Sequence, residues 1–200
     1  MEENFDALEV IARTRGKVEI DTAPTGDRVF LIWGWPIAVF FALQFACWMW
    51  LHEIWCLFVW AGIPLVGTPL MVQEMKKDRE RTHIRTLSSK TVLHYWYFVC
   101  AVCFVGGFLF GFMNLAFVCF YPLIGLLIGI GGFITGEVAR FRPMIIGGLA
   151  GAVIGTGSFL LQGEPLSSWQ LLCVSLVAIV SLVIPGYCYV NHFNNGVQGS

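Results

Sequence analysis

Charge is what this 200-residue chain has least of. Asp, Glu, Lys and Arg make up 12% of it, about half the roughly 25% of an ordinary soluble domain. With 57% hydrophobic residues and a mean hydropathy of +0.73, that shortage excludes most soluble classes. The net charge of −1 says little, because the two signs are segregated along the chain; no nucleic-acid partner is expected. A cleaved signal is not visible either. Residues 1–28 are polar and acidic and lack the basic, apolar, small-residue order of a secretory leader. The first hydrophobic segment is therefore expected to stay in the membrane. His52, His83, His94 and His192 show no HExxH or comparable metal spacing, and no phosphate-binding glycine loop follows a strand pattern. No cofactor or metal is expected.

What the chain does have is apolar runs of about 20 residues, the length a helix needs to cross a hydrocarbon core roughly 30 Å thick. Six segments qualify: Val29–Trp50, Ile54–Val72, Val92–Phe112, Leu115–Gly136, Met144–Leu161 and Trp169–Tyr189. Each can satisfy its own backbone hydrogen bonds as a helix, as a lipid environment demands. The expected fold is an all-α polytopic membrane bundle of about six transmembrane helices. A five-span arrangement with one re-entrant segment is the alternative. Phe5, Leu8, Ile11 and Arg15 share one helical face before Gly16, which predicts a short cytoplasmic amphipathic helix. It could dock another protein or rest on the bundle. The expected organisation is an N-terminal helix and linker (1–28), a first transmembrane hairpin (29–72), a basic cytoplasmic loop (73–91), a four-helix transmembrane bundle (92–190) and a cytoplasmic tail (191–200).

Orientation follows from where the basic residues are missing. All 12 Lys and Arg residues fall before the first span (Arg13, Arg15, Lys17, Arg28), between the second and third (Lys76, Lys77, Arg79, Arg81, Arg85, Lys90), or between the fourth and fifth (Arg140, Arg142). With six alternating spans these regions share one face, and the opposite loops hold none. Retention of basic residues in the cytoplasm then puts both termini inside. Trp48, Trp50, Trp55, Tyr121 and Trp169 lie near outer span ends, and Tyr95, Trp96, Tyr97, Tyr187 and Tyr189 near inner ones. They read as interfacial anchors.

Glycine supplies the clearest internal pattern. Gly107 and Gly111 lie four apart in the third span, Gly125 with Gly129 and Gly132 with Gly136 in the fourth, and Gly147, Gly151 and Gly155 form a stripe in the fifth. Small residues at this spacing let membrane helices approach closely. They predict a tight bundle of the last four spans, with self-association or a glycine-lined path as further uses. Pro64-Leu65-Val66-Gly67 and Pro122-Leu123-Ile124-Gly125 hint at a weak repeat of the kind found in transporters.

Chemistry-bearing residues are few. Glu137 lies three residues before Arg140, a spacing suited to a local ion pair, and Arg142 follows. Gln44 and Asn114 are the remaining strongly polar residues in or near spans. These five are the candidate functional polar residues. The scarcity of intramembrane charge argues against ion-coupled transport. Cys100 and Cys103 have CxxC spacing without a βαβ context and read as small buried hydrophobes. Cys47 and Cys56 could meet at the first outer turn. Ser158 has no intramembrane histidine to activate it. No catalytic constellation emerges.

The order of Leu31-Ile32-Trp33-Gly34-Trp35, a basic loop, Phe141-Arg142-Pro143-Met144-Ile145-Ile146-Gly147-Gly148 and Ile184-Pro185-Gly186-Tyr187 resembles a family of small, uncharacterised multi-pass inner-membrane proteins from Bacteroidetes-type bacteria. The resemblance implies a bacterial inner membrane and brings no activity, cofactor or site with it. The expected function is that of a non-enzymatic structural, regulatory or partner-binding bundle. Its partners would be the lipid bilayer, another copy, or another membrane or cytoplasmic protein. A small channel or transporter is the alternative.

Overall fold

The computed structural model describes residues 28–51, 59–78, 87–113, 120–161, 163 and 166–198. Among them every regular element is helical. The six helices are α1 (Val29–Leu51), α2 (Gly62–Asp78), α3 (Leu87–Met113), α4 (Phe120–Ala139), α5 (Arg142–Gly157, extended by a tighter turn Ser158–Leu160) and α6. The last begins at Leu166–Ala178, passes through a π-helical turn Ile179–Val183 and continues as Ile184–Gln198. It therefore runs on through most of the segment read above as a tail.

Among the described residues four stretches are long and apolar enough to cross a membrane: Val29–Leu51, Phe120–Ala139, Arg142–Leu160 and Ser168–His192. A shorter apolar stretch, Thr91–Gly107, lies in α3. The expected amphipathic helix at Phe5–Arg15, the tip of the basic loop, Cys56 and Asn114 lie outside the described residues.

The most extensive contact joins α4 to α5. Their connection is only Arg140 and Phe141. Arg140 adopts a left-handed conformation (φ 52°). Its N–H donates to the Glu137 carbonyl at 3.2 Å, and the Phe141 N–H donates to the Gly136 carbonyl at 3.0 Å. This double closure is a Schellman turn, which caps the last carbonyls of α4. Pro143 sits at the first turn of α5, where its missing N–H costs nothing. Past the turn the helices touch backbone to backbone. A β-carbon on Gly129 would lie 2.6 Å from the Ala152 Cα, and one on Gly136 would lie 2.6 Å from the Ile145 nitrogen. Gly148 and Gly155 face the α4 backbone in return, and Gly125 meets the Gly155 Cα.

The next most extensive contact is between α1 and α6, which run antiparallel. Gly34 lies under Leu182 and Val183, the Ser175 hydroxyl donates to the Ala38 carbonyl at 2.8 Å, and the rings of Phe45 and Trp169 stand 5.4 Å apart. The close-packed group is thus α1, α4, α5 and α6, a different grouping from a detached first hairpin beside four later helices. The reason is local: Gly34 and Ala38 give α1 a small-residue strip that admits the bulky face of α6. The more peripheral helices rest on aromatic side chains. In α2, Gly62 packs on the Phe40 ring and Gly67 on Trp33; in α3, Gly106 packs on Phe120 and Gly107 on Trp60. The core of Phe41, Phe120, Tyr121, Ile124, Ile128, Leu171, Val174, Val177 and Leu182 fills the space between α1, α4 and α6.

Candidate functional site

Most of the buried polar side chains bond to helix backbone. The Thr135 hydroxyl donates to the Gly131 carbonyl at 2.7 Å and Ser158 to Gly155 at 2.7 Å, the usual way a hydroxyl is satisfied inside a helix. Between helices, Ser181 donates to the Gly147 carbonyl at 3.1 Å and the Gln170 amide to the Leu161 carbonyl at 2.6 Å. Two side chains of α3 bind α4: the Tyr95 hydroxyl donates to the Leu127 carbonyl at 2.7 Å, and the Trp96 indole to Thr135 Oγ1 at 3.2 Å. The bonds from Ser181, Tyr95 and Trp96 tie neighbouring helices together.

The π-helical turn of α6 has an identifiable cause. Pro185 lacks an N–H and cannot bond the Ser181 carbonyl four residues earlier. The freed carbonyl faces Gly132, where a β-carbon would stand 3.2 Å from it. The neighbouring Val180 carbonyl faces Gly147 in the same way. Both glycines can direct a Cα–H at the facing oxygen.

Gln44 is fully buried, and its Nε2 donates to the Tyr121 hydroxyl at 3.0 Å. With the amide in this orientation its Oε1 has no hydrogen-bond partner among the described residues. Tyr121 packs edge-on against Phe41, centroids 6.1 Å apart. It is 8% exposed and so does not act as the interfacial anchor its position suggested. Tyr189, at 5%, is likewise internal. Sequence reasoning found Gln44 but missed its partner, because a tyrosine near a span end looks the same whether it points outward or inward.

Glu137, Arg140 and Arg142 are exposed at the α4–α5 turn. Among the described residues no ion pair joins Glu137 to Arg140; the turn directs Arg140 out of the helical path on which that spacing would have aligned them. Gln44 belongs to the other end of the bundle. Its partner Tyr121 begins α4, and 16 residues of helix, about 24 Å, separate it from Glu137. The structure therefore sets Gln44 apart from Glu137, Arg140 and Arg142. Of the packing glycines, Gly125, Gly129, Gly132, Gly136, Gly147, Gly151 and Gly155 line the α4–α5–α6 contact, and Gly107 faces Trp60 instead.

Cys47, Cys100, Cys103, Cys173 and Cys188 are free thiols. Among the described residues no three His, Cys, Asp or Glu side chains are placed to hold a metal ion.

Among the described residues two open depressions stand out. The larger, about 490 Å³, runs between α1, α2 and the distal part of α6, with Arg28 at one end and Val39 and Phe40 at the other. Trp35 and Tyr187 form part of its wall and are joined by an indole N–H donated to the phenol oxygen at 3.2 Å. The smaller, about 400 Å³, lies between α5 and α6 near Arg142 and Pro185. Apart from Arg28 and Arg142 at their ends, both are lined almost wholly by apolar groups. The chain matches no protein-family model, no curated protein sequence and no solved structure.

Proposed function

We propose that the chain is a six-span bundle of a bacterial cytoplasmic membrane, with both termini inside, that acts without catalysis by associating with itself or with another protein. The observation that carries this reading is how the buried polar side chains are used: nearly all of them tie one helix to its own backbone or to a neighbour. The polar residues that could have formed a reaction centre stand at opposite ends of the bundle. The exposed basic turn at Arg140 and Arg142, the segment beyond α2 and the N-terminal region then form the cytoplasmic contact surface.

The packing supports the topology. Gly34 near the start of α1 meets Leu182 and Val183, and Gly147 near the start of α5 meets Val180 and Pro185. Arg28 and Arg142 therefore lie toward the same end. Because α2 runs antiparallel to α1, with Gly67 on Trp33 and Gly62 on Phe40, Lys76 lies at that end too. One basic face is what the cytoplasmic bias of Lys and Arg requires.

The test is labelling in intact cells with a membrane-impermeant thiol reagent. Starting from a cysteine-free background, Gly163→Cys should react from outside and Arg140→Cys only after permeabilisation. Reaction of both from one side would end the six-span reading. For association, crosslinking in native membranes should give a reproducible homo- or hetero-oligomer, and a strictly monomeric protein with no partner would refute it.

A channel or transporter is the second reading, favoured by the π-helical turn beside Pro185 and the unpartnered Gln44 oxygen. It predicts solute or ion flux in liposomes that Gln44→Leu reduces.

A further inference from the structure

We infer that the groove between α1, α2 and α6 is a binding site for a single anionic phospholipid, whose phosphate is held at Arg28 and whose acyl chain lies along α1. The groove spans α1 from Arg28 to Phe40. Twelve residues of helix rise about 18 Å, a little over half of a hydrocarbon core roughly 30 Å thick, which is the depth one leaflet's lipid occupies. The depression is open and apolar along that length, and its one charged lining residue, Arg28, stands at its end, so the fitting occupant is a single amphiphile with an anionic head.

The groove has a basic residue at one end and is apolar along the rest of its length, as a phospholipid is anionic at its head and apolar along its chains. Arg28 is exposed where α1 begins, and the positive end of the helix dipole adds to its attraction for an anion. Arginine holds phosphate through two parallel N–H bonds. Lys76 is exposed on α2 beyond Leu70, a lining residue at the same end. Inward from Arg28 the lining is apolar, through Leu31 and Ile32 to Val39 and Phe40, and Trp35 and Tyr187, rings of the kind enriched at the headgroup boundary, form part of the wall. Basic pockets between helices on the cytoplasmic side are where anionic headgroups bind. The smaller groove, beside Arg142, lacks the aromatic band and serves as the control.

The inference rests on the proposed topology only in that α1, α2 and α6 lie side by side in the bilayer. It does not depend on oligomeric state. The experiment is native mass spectrometry of the full chain released from nanodiscs of equal phosphatidylglycerol and phosphatidylethanolamine. The wild type should retain one phosphatidylglycerol in preference to phosphatidylethanolamine. Arg28→Gln should lower that preference about fivefold, as expected for one cation at a membrane surface, without changing the total lipid retained. Val39→Trp, or Val66→Trp should the first fail to fold, should fill the groove and abolish retention, while Ile146→Trp in the smaller groove should not. Equal retention of the two lipids by the wild type, a preference that survives Arg28→Gln, or retention that survives groove filling would each overturn the site. So would a dimer that groove filling breaks, because the occupant would then be a second copy. The thiol-labelling pattern is read separately, so loss of the lipid site and loss of the topology are distinguishable.

Discussion

The Ser181 hydroxyl reaches across from α6 to the Gly147 carbonyl of α5 at 3.1 Å. It can do so because Gly151, one turn further along α5, has no side chain to block it: a β-carbon there would overlap Ser181 Oγ. Sequence spacing, the π-helical turn and helix packing meet at this point.

Replacing Ser181 separates the bond from the fit. Ser181→Ala removes one interhelical hydrogen bond and should cost about 0.6 kcal/mol, the average for such bonds in a membrane bundle, and at most about 1.7 kcal/mol. Ser181→Leu must force α5 and α6 apart and should cost about 1–3 kcal/mol. Equilibrium unfolding in mixed micelles reads both. Equal effects would show that the slot is not sterically closed.

Glycines in one helix pair should differ sharply in tolerance. Gly129→Ala and Gly148→Ala place a methyl group against the facing backbone, and neither backbone can move without opening the pair. Each should lose about 1–3 kcal/mol. Gly157→Ala meets nothing within 4 Å and should be neutral or stabilising by about 0.5–1 kcal/mol, since alanine has less backbone freedom to lose. The same unfolding measurement ranks the three.

At the α4–α5 turn, Arg140→Gly should stabilise the fold by about 1 kcal/mol, because glycine occupies the left-handed position of a Schellman turn without the Cβ penalty. The substitution also removes a basic residue from the face that orients the chain. Thiol labelling at a distant site should show orientation retained through Arg142, and a mixed population would mean that Arg140 is kept for topology at the expense of stability.

Gln44 and Tyr121 form a pair suited to a double-mutant cycle. Tyr121→Phe strands the Gln44 amide in an apolar core and should cost about 1–3 kcal/mol. Gln44→Leu removes the amide together with its unpartnered oxygen and should be far milder. The double variant should recover most of the Tyr121→Phe loss. A cycle with no coupling would show that the 3.0 Å bond contributes nothing.

How much of this was legible in the sequence depends on the length scale of the signal. Runs of apolar residues act over a whole helix, so α1, α4, α5 and α6 could be read directly. The glycine rows of α4 and α5 announce close approach, because only a missing side chain allows it. Which helix meets which is a matter of shape: Gly34 and Ala38 stand four apart, as the glycine pairs do, but that spacing announces a close contact without naming α6 as the partner. The inward turn of Tyr121 was hidden for the same reason. Glu137 and Arg140 were misleading as a pair because their spacing implies an unbroken helix, and the left-handed residue ends it. The Arg28 groove joins α1 and α2 to the far end of α6, more than a hundred residues further along the chain, and no local pattern could reveal it.

The two-residue turn at Arg140 and Phe141, together with the bare backbone contact that follows it, has a mechanical consequence. With no slack in the connection and no side chains between them to act as bearings, α4 and α5 cannot slide or swing apart without breaking contacts along their whole length. They form a single stave, and any motion the protein makes must carry both together. Deformation is left to the π-helical turn of α6 and to the aromatic-cushioned helices α2 and α3.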